Sequence, residues 1–127
     1  MNYCNFAIIA VMNTSLLQKV ESSYLKTDNR GDFTVGDTVK VYNIIREGEK
    51  SRTQIYEGIV IMIKGSGTRT MFTVRKISDG IGVEKIFPLH SPNVDKVEIV
   101  RSGHGRKSRL FYLRDRIGKS ALKVKAG

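Results

Sequence analysis

The hydrophobic positions of this chain change period near residue 35. Before that point Leu17, Val20 and Tyr24 recur at helical spacing, with Lys19, Glu21 and Lys26 between them, the pattern of a helix with one apolar face. Ser15 followed three positions later by Gln18 matches a capping box, in which a hydroxyl and an amide side chain satisfy unpaired backbone donors at a helix start. The pattern predicts an amphipathic helix from Leu16 to Lys26, packed on the body of the protein, and a break over Thr27 to Asp32 around Gly31.

Beyond the break the period is two. DTVKVYNI (Asp37 to Ile44) alternates Val39, Val41 and Asn43 against Thr38, Lys40 and Tyr42, the spacing of a half-buried strand. QIYEGIVIMI (Gln54 to Ile63), TMFTVRKI (Thr70 to Ile77), VEKIF (Val83 to Phe87) and VDKVEIV (Val94 to Val100) continue the series. Between them lie the turn Arg46 to Arg52, the pair Gly65 and Gly67, the pair Asp79 and Gly80, and the stretch Pro88 to Asn93. Gly58, inside an otherwise β-branched run, is a candidate bulge. Short strands joined by glycine turns predict a mainly β protein, a small antiparallel barrel or sandwich whose closure protects its edges. The segment GRKSRLFYLRDRIGK (Gly105 to Lys119) reads two ways: Leu110, Leu113 and Ile117 share a helical face, whereas Leu110, Tyr112 and Arg114 alternate as in a strand. A short helical turn is the preferred reading, and in either case the apolar side can dock on the body while the cations project.

Length and composition narrow this picture. At 127 residues the chain suits one domain, and 12 glycines with no tryptophan suggest many turns and a modest interior, so a small-molecule substrate pocket is not expected. The single cysteine, Cys4, rules out an intramolecular disulfide and a cysteine-based zinc site and fits a reducing compartment. The apolar run Phe6 to Met12 is too short to span a bilayer and has no basic residue ahead of it, unlike a signal peptide; no membrane partner is expected. Met12 is read as an ordinary start, with residues 1–11 an extension outside the usual mature chain.

Charge adds the functional signal. The net charge is +10, and residues 101–127 hold nine Lys and Arg against the one acid Asp115, while the other hundred residues hold 13 cations and 11 acids. A nearly neutral body thus carries a strongly basic C-terminal arm, an asymmetry suited to gripping a phosphate backbone. Mutual repulsion disfavours such a segment unless a polyanion neutralises it. In the free protein the arm, Arg106 to Lys125, is expected to be mobile. Arg101, Arg106, Lys107, Arg109, Arg114, Arg116, Lys119 and Lys123 are candidate phosphate ligands, Arg through its planar fork and Lys as a point charge. Phe111 and Tyr112 among them could stack on unpaired bases or tether the arm to the core.

A second cationic cluster, Lys64, Arg69, Arg75 and Lys76, surrounds the loop KGSGTR with no acid between. Its glycines allow close approach to phosphate, and a plain hairpin turn explains them as well. Catalytic signatures fail. Gly118-Lys119-Ser120 resembles the end of a phosphate-binding loop, but Leu113 stands where that motif needs glycine. His90 and His104 lack metalloprotease spacing, and no carboxylate pair stands out. No enzyme, metal or cofactor is expected.

Four ordered blocks carry a family resemblance: VGDTVKV (Val35 to Val41), EGEKSRTQIYEG (Glu47 to Gly58), FTVRKISDGIGVEKIFPLHSP (Phe72 to Pro92) and RLFYLRDRIGKSA (Arg109 to Ala121). Together they resemble the bacterial-type large-subunit ribosomal protein nineteen family over nearly everything from Leu16 to Ala121. The resemblance implies an SH3-like barrel over residues 33–101, preceded by a helix and linker over 12–32 and followed by a basic arm over 102–127. It implies a structural protein binding large-subunit (23S-type) rRNA near the small-subunit interface, within an intersubunit bridge that also touches small-subunit rRNA, beside other large-subunit proteins. Its setting would be ribosomes in the cytoplasm, an organellar ribosome being the other setting compatible with the sequence. Carried over residue by residue, the implied RNA contacts are Arg75 and Lys76, His90, and Arg109, Arg114, Arg116 and Lys119, with Arg106 and Lys107 as the basic pair ahead of the last block. Thr34-Val35 departs from the Arg-Pro that the family usually has before Gly-Asp, Gly103-His104-Gly105 is looser than the usual basic stretch, and Leu122 replaces a common arginine. A transient RNA-binding translation or transcription factor with an SH3-like barrel is the alternative.

Overall fold

The computed structural model describes the backbone of residues 3–25 and 32–126, and side chains within 14–25 and 32–125 apart from 119 and 122. One helix, α1 (Tyr3–Tyr24), precedes the strands β1 (Thr38–Glu47), β2 (Lys50–Lys64), β3 (Met71–Ser78), β4 (Ile81–Pro88) and β5 (Val94–Arg101). Two-residue strands β6 (Gly103–His104) and β7 (Lys125–Ala126) flank 3-10 turns at Phe111–Asp115 and Gly118–Leu122. The mainly β expectation holds, and all five strand runs appear within a few residues of their expected positions.

The five strands form one antiparallel sheet in the order β4-β3-β2-β1-β5. Tight turns set its registers. Asp79 and Gly80 connect the Ser78–Ile81 pair with φ of 52° and 78°, the left-handed pair that a two-residue hairpin requires and that Asp-Gly supplies at low cost. Gly48 and Glu49 connect β1 to β2 in the same number of residues, so the expected turn over Arg46 to Arg52 contracts to its centre and both strands lengthen.

β2 organises the sheet. Its first half pairs with β1, Ile59 pairs with both Thr38 and Arg75, and the residues after it pair with β3 alone. A strand that passes between two sheet halves needs a bend. The ladder irregularity falls between Val60 and Met62, not at Gly58 as expected. Gly58 serves a different need: a Cβ there would overlap the Arg75 carbonyl and the Val74 side chain, so its absence lets β3 approach.

Consecutive residues of a strand point to opposite faces, and both faces of β2 are covered here, so Ile59, Val60 and Ile61 are all buried. Val60 and Tyr56 join Val39, Val41, Phe72, Val74, Phe87, Val94 and Val97 in the main core, where Phe72 meets Phe33 edge-on at 4.9 Å and stacks on Phe87 at 5.6 Å. Ile59 and Ile61 point the other way and pack with Leu110 and Leu113. Each side chain so buried contributes about 1.5–3 kcal/mol. The C-terminal segment, expected to be a mobile arm, is therefore docked on the sheet, with the Leu110 amide donating to the Ile61 carbonyl at 2.9 Å.

Three further expectations need correction. The helix begins at Tyr3, so Ser15 and Gln18 lie in its interior and do not cap it; no Gly or Pro interrupts Tyr3 to Tyr24, and the apolar run simply extends the helix. Nor is its apolar face packed on the body, since Leu16, Leu17, Val20 and Tyr24 are all more than half exposed. The helix meets the body near the β2–β3 turn, with Glu21 3.9 Å from Arg69. Third, the expected Leu110–Leu113–Ile117 face breaks: the 3-10 turn ends at Asp115, Arg116 and Ile117 adopt extended backbone, and Ile117 is 89% exposed. The expected helix end at Lys26 and the break through Gly31 lie outside the described residues, and no described helix is long and apolar enough to cross a membrane.

Candidate nucleic-acid interface

The docked C-terminal segment builds the site. Leu110 and Leu113 fix its 3-10 turn to β2, and Asp37 fixes its start. Asp37 is buried, and its carboxylate accepts from the Thr34 amide at 2.6 Å and, across 66 residues of chain, from the Gly103 amide at 2.8 Å. That bond holds β6 where it can pair with β7, setting His104 opposite Lys125. The result is an open cleft of about 560 Å³ lined by His104, Arg106, Lys107, Tyr112, Arg116, Lys123, Val124 and Lys125. Five of these are cations and none is an acid. Lysine and arginine brought together without counter-charges suit a polyanion.

Within the cleft the Arg116 guanidinium lies over the Tyr112 ring at 4.7 Å, and its Nη1 donates to the Lys123 carbonyl at 3.2 Å. Lys107 approaches the same ring at 5.9 Å. Tyr112 also packs against the second core cluster. Phe111 is half-exposed and carries the Arg114 guanidinium over its ring at 4.6 Å. Tyr112 tethers the segment, and both rings hold an arginine.

Arg114 and Arg75 are placed differently from the rest. On β4, Glu84 accepts from Arg114 through both carboxylate oxygens, Nε at 2.8 Å and Nη2 at 2.7 Å, and from Arg75 Nη1 at 2.9 Å. Arg75 is only 9% exposed: it is the cross-strand partner of Glu84, and a Cβ at Gly82 would overlap its guanidinium. Both arginines are bound to Glu84, Arg75 inside the protein and Arg114 with about half of its side chain still exposed at 49%. The Arg114 hydrogen bonds hold the Glu84 carboxyl below the usual carboxylate range against the upward pull of partial burial, and Arg75 adds to the lowering. Behind them Tyr56 donates to the Val83 carbonyl at 3.0 Å, burial pushes its phenol up, and Lys76 lies over its ring at 4.6 Å.

Of the other expected contacts, Lys64 is exposed at the end of β2, and Arg69 is exposed in the turn that follows and faces Glu21. Arg101 and Arg109 are exposed at either end of the stretch that carries β6, and His90 is half-buried in the turn after β4. The Lys119 side chain lies outside the described residues. Hence the structure gathers Arg106, Lys107, Tyr112, Arg116 and Lys123 into one cleft, leaves Lys64, Arg69 and His90 elsewhere, and binds the buried Arg75 and the exposed Arg114 to Glu84. His104 and Lys125 enter the cleft without having stood out as ligands, and Asp37 organises it from beneath. Only the β6–β7 pairing brings the first two together, and no local spacing announces a bond between Asp37 and Gly103.

Fold and cleft together define a small basic β-sheet protein with an acid-free cationic site. The chain belongs to the family described as Ribosomal protein L19, whose match spans residues 15–126. Among similar proteins, the large ribosomal subunit protein bL19 of Alkaliphilus metalliredigens is 51% identical over 110 residues, covering 87% of this chain and 93% of its own. That of Mycoplasmopsis agalactiae is 54% identical over 110 residues, with 87% and 94% covered, and that of Treponema denticola is 52% identical over 108 residues, with 85% and 90% covered. Membership makes this chain a structural, non-enzymatic protein of cytoplasmic ribosomes, and the shared name of these relatives places them in the large subunit.

Proposed function

We propose that the chain is a structural constituent of the large ribosomal subunit that binds 23S-type rRNA through its C-terminal cleft face, close to the small subunit and within an intersubunit bridge. The observation that carries the reading is the acid-free cleft formed by Arg106, Lys107, Arg116, Lys123 and Lys125. Binding there exchanges condensed counterions for protein cations, and the shape of folded RNA, more than base sequence, selects the site. Arg101, Arg109 and Lys119 extend the contact along the same segment, while Arg75 and Arg114 support it from behind by fixing the segment through Glu84. Lys64 and Arg69 at the β2–β3 turn, with Lys76 and His90, form further RNA contacts outside the cleft, as a protein touching both large- and small-subunit rRNA would require. The exposed apolar face of α1, with Lys19 and Glu21 as its charges between residues 14 and 25, suits a neighbouring ribosomal protein rather than RNA. In the same reading the sheet, bent along β2, is a small SH3-like barrel that stays open between its edge strands β4 and β5, which form no ladder with each other.

Fractionation of a low-salt lysate on a sucrose gradient should place the protein with large subunits, and crosslinking in intact ribosomes should attach the cleft residues to large-subunit rRNA. Recovery in the free pool would favour the transient RNA-binding factor instead.

A further inference from the structure

The cleft holds a feature that general phosphate binding does not require. Charge alone would be served by mobile lysines, yet Arg116 is fixed on two sides: Tyr112 supports one plane of its guanidinium at 4.7 Å, and the Lys123 carbonyl takes Nη1 at 3.2 Å. A long side chain held in one orientation has already lost rotamer entropy that a ligand would otherwise have to offset. Among the described residues no carboxylate lines the cleft, so none of them fixes this arginine by an ion pair there. What remains available is one flat face and the donors not turned to Lys123, inside a concavity of about 560 Å³, which falls in the size range of small-ligand pockets. The convex backbone of a duplex would meet only the cationic rim of such a hollow, whereas an unpaired nucleotide could enter it.

We propose that the cleft is a subsite for one unpaired RNA nucleotide, whose base stacks on the Arg116 guanidinium while Arg106, Lys107 and Lys125 hold the flanking phosphates. Stacking of bases on arginine planes is a general mode of single-strand recognition, and Val124 supplies an apolar wall. The proposal rests on the rRNA-binding reading and adds the chemical form of the ligand.

Arg116→Lys tests it, because the charge stays and the plane is lost. Binding of the full chain to a short single-stranded poly(A) RNA and to an RNA duplex of equal length would be measured at low salt, with thermal melting to check that the variant is folded. The expected result is a loss of about tenfold for the single strand, the scale of one stacked base, and less than about twofold for the duplex. Unchanged single-strand affinity, or an equal loss on both RNAs, would overturn the subsite while leaving the rRNA reading in place. A wild-type protein that binds neither RNA would overturn both.

Discussion

At the scale of single residues, two acids hold a basic segment in place. Asp37 is buried and accepts from both Thr34 and Gly103; replacing it with alanine leaves the Gly103 amide inside the protein without its acceptor. Hydrogen bonds to charged groups contribute about 1.5–3 kcal/mol, so Asp37→Ala should lower unfolding stability by about 2 kcal/mol, read as a shift in the denaturant midpoint. Glu84 makes a pH-dependent contribution. Its folded-state pKa lies below the unfolded value, with the Arg114 hydrogen bonds as the largest cause, so its contribution is fully present above an ordinary glutamate pKa of about 4.3 and is lost as pH falls through the lower folded value. Glu84→Gln should therefore destabilise the protein at neutral pH and flatten the acid limb of its stability profile. Equal acid sensitivity of variant and wild type in melting experiments would contradict this role.

At the scale of elements, β2 and the C-terminal segment depend on each other. Strand alternation sets Ile59 and Ile61 on the face of β2 opposite the main core, and Leu110 and Leu113 cover them. This is why the segment tolerates its charge: two buried leucines and a carboxylate clamp offset the repulsion among the cations around them. Hydrogen exchange should find the Leu110 amide, bonded to Ile61, protected to nearly the level of the sheet; exchange as fast as in an unfolded peptide would restore the mobile-arm expectation. Gly58→Ala should strain the approach of β3 to β2, because the added methyl meets the Arg75 carbonyl and Val74. Overpacking of this kind costs about 1–3 kcal/mol, measurable by the same denaturant series.

For the whole molecule the division is between a nearly neutral sheet and a cationic face. Replacing Arg106, Lys107, Lys123 and Lys125 together by glutamine removes four cleft charges while leaving Leu110, Leu113 and the Glu84 clamp untouched. If each neutralises one phosphate, the slope of log affinity against log salt should fall by about 3 on single-stranded RNA, with little change in melting temperature. A loss of fold, or an unchanged slope, would show that these residues serve the structure and not the ligand.

The sequence alone determined the strands and the charge, because period-two hydrophobicity, the Asp79-Gly80 turn and the concentration of cations after residue 100 are properties of neighbouring residues. It also indicated that Leu110 and Leu113 would face the body. The tertiary structure decided which cations line the cleft. Arg75 and Arg114 are as basic in sequence as Arg116, yet Glu84 holds the first two, and Tyr112 with the Lys123 carbonyl orients the third. The contact between Asp37 and Gly103, which sets His104 beside Lys125 in the cleft, likewise joins distant parts of the chain. The Arg75–Glu84 pair follows from the β3–β4 hairpin register, but the contacts of Glu84 with Arg114 and of Asp37 with Gly103 arise only when the C-terminal segment docks on the sheet, since that packing brings together groups that no local pattern connects.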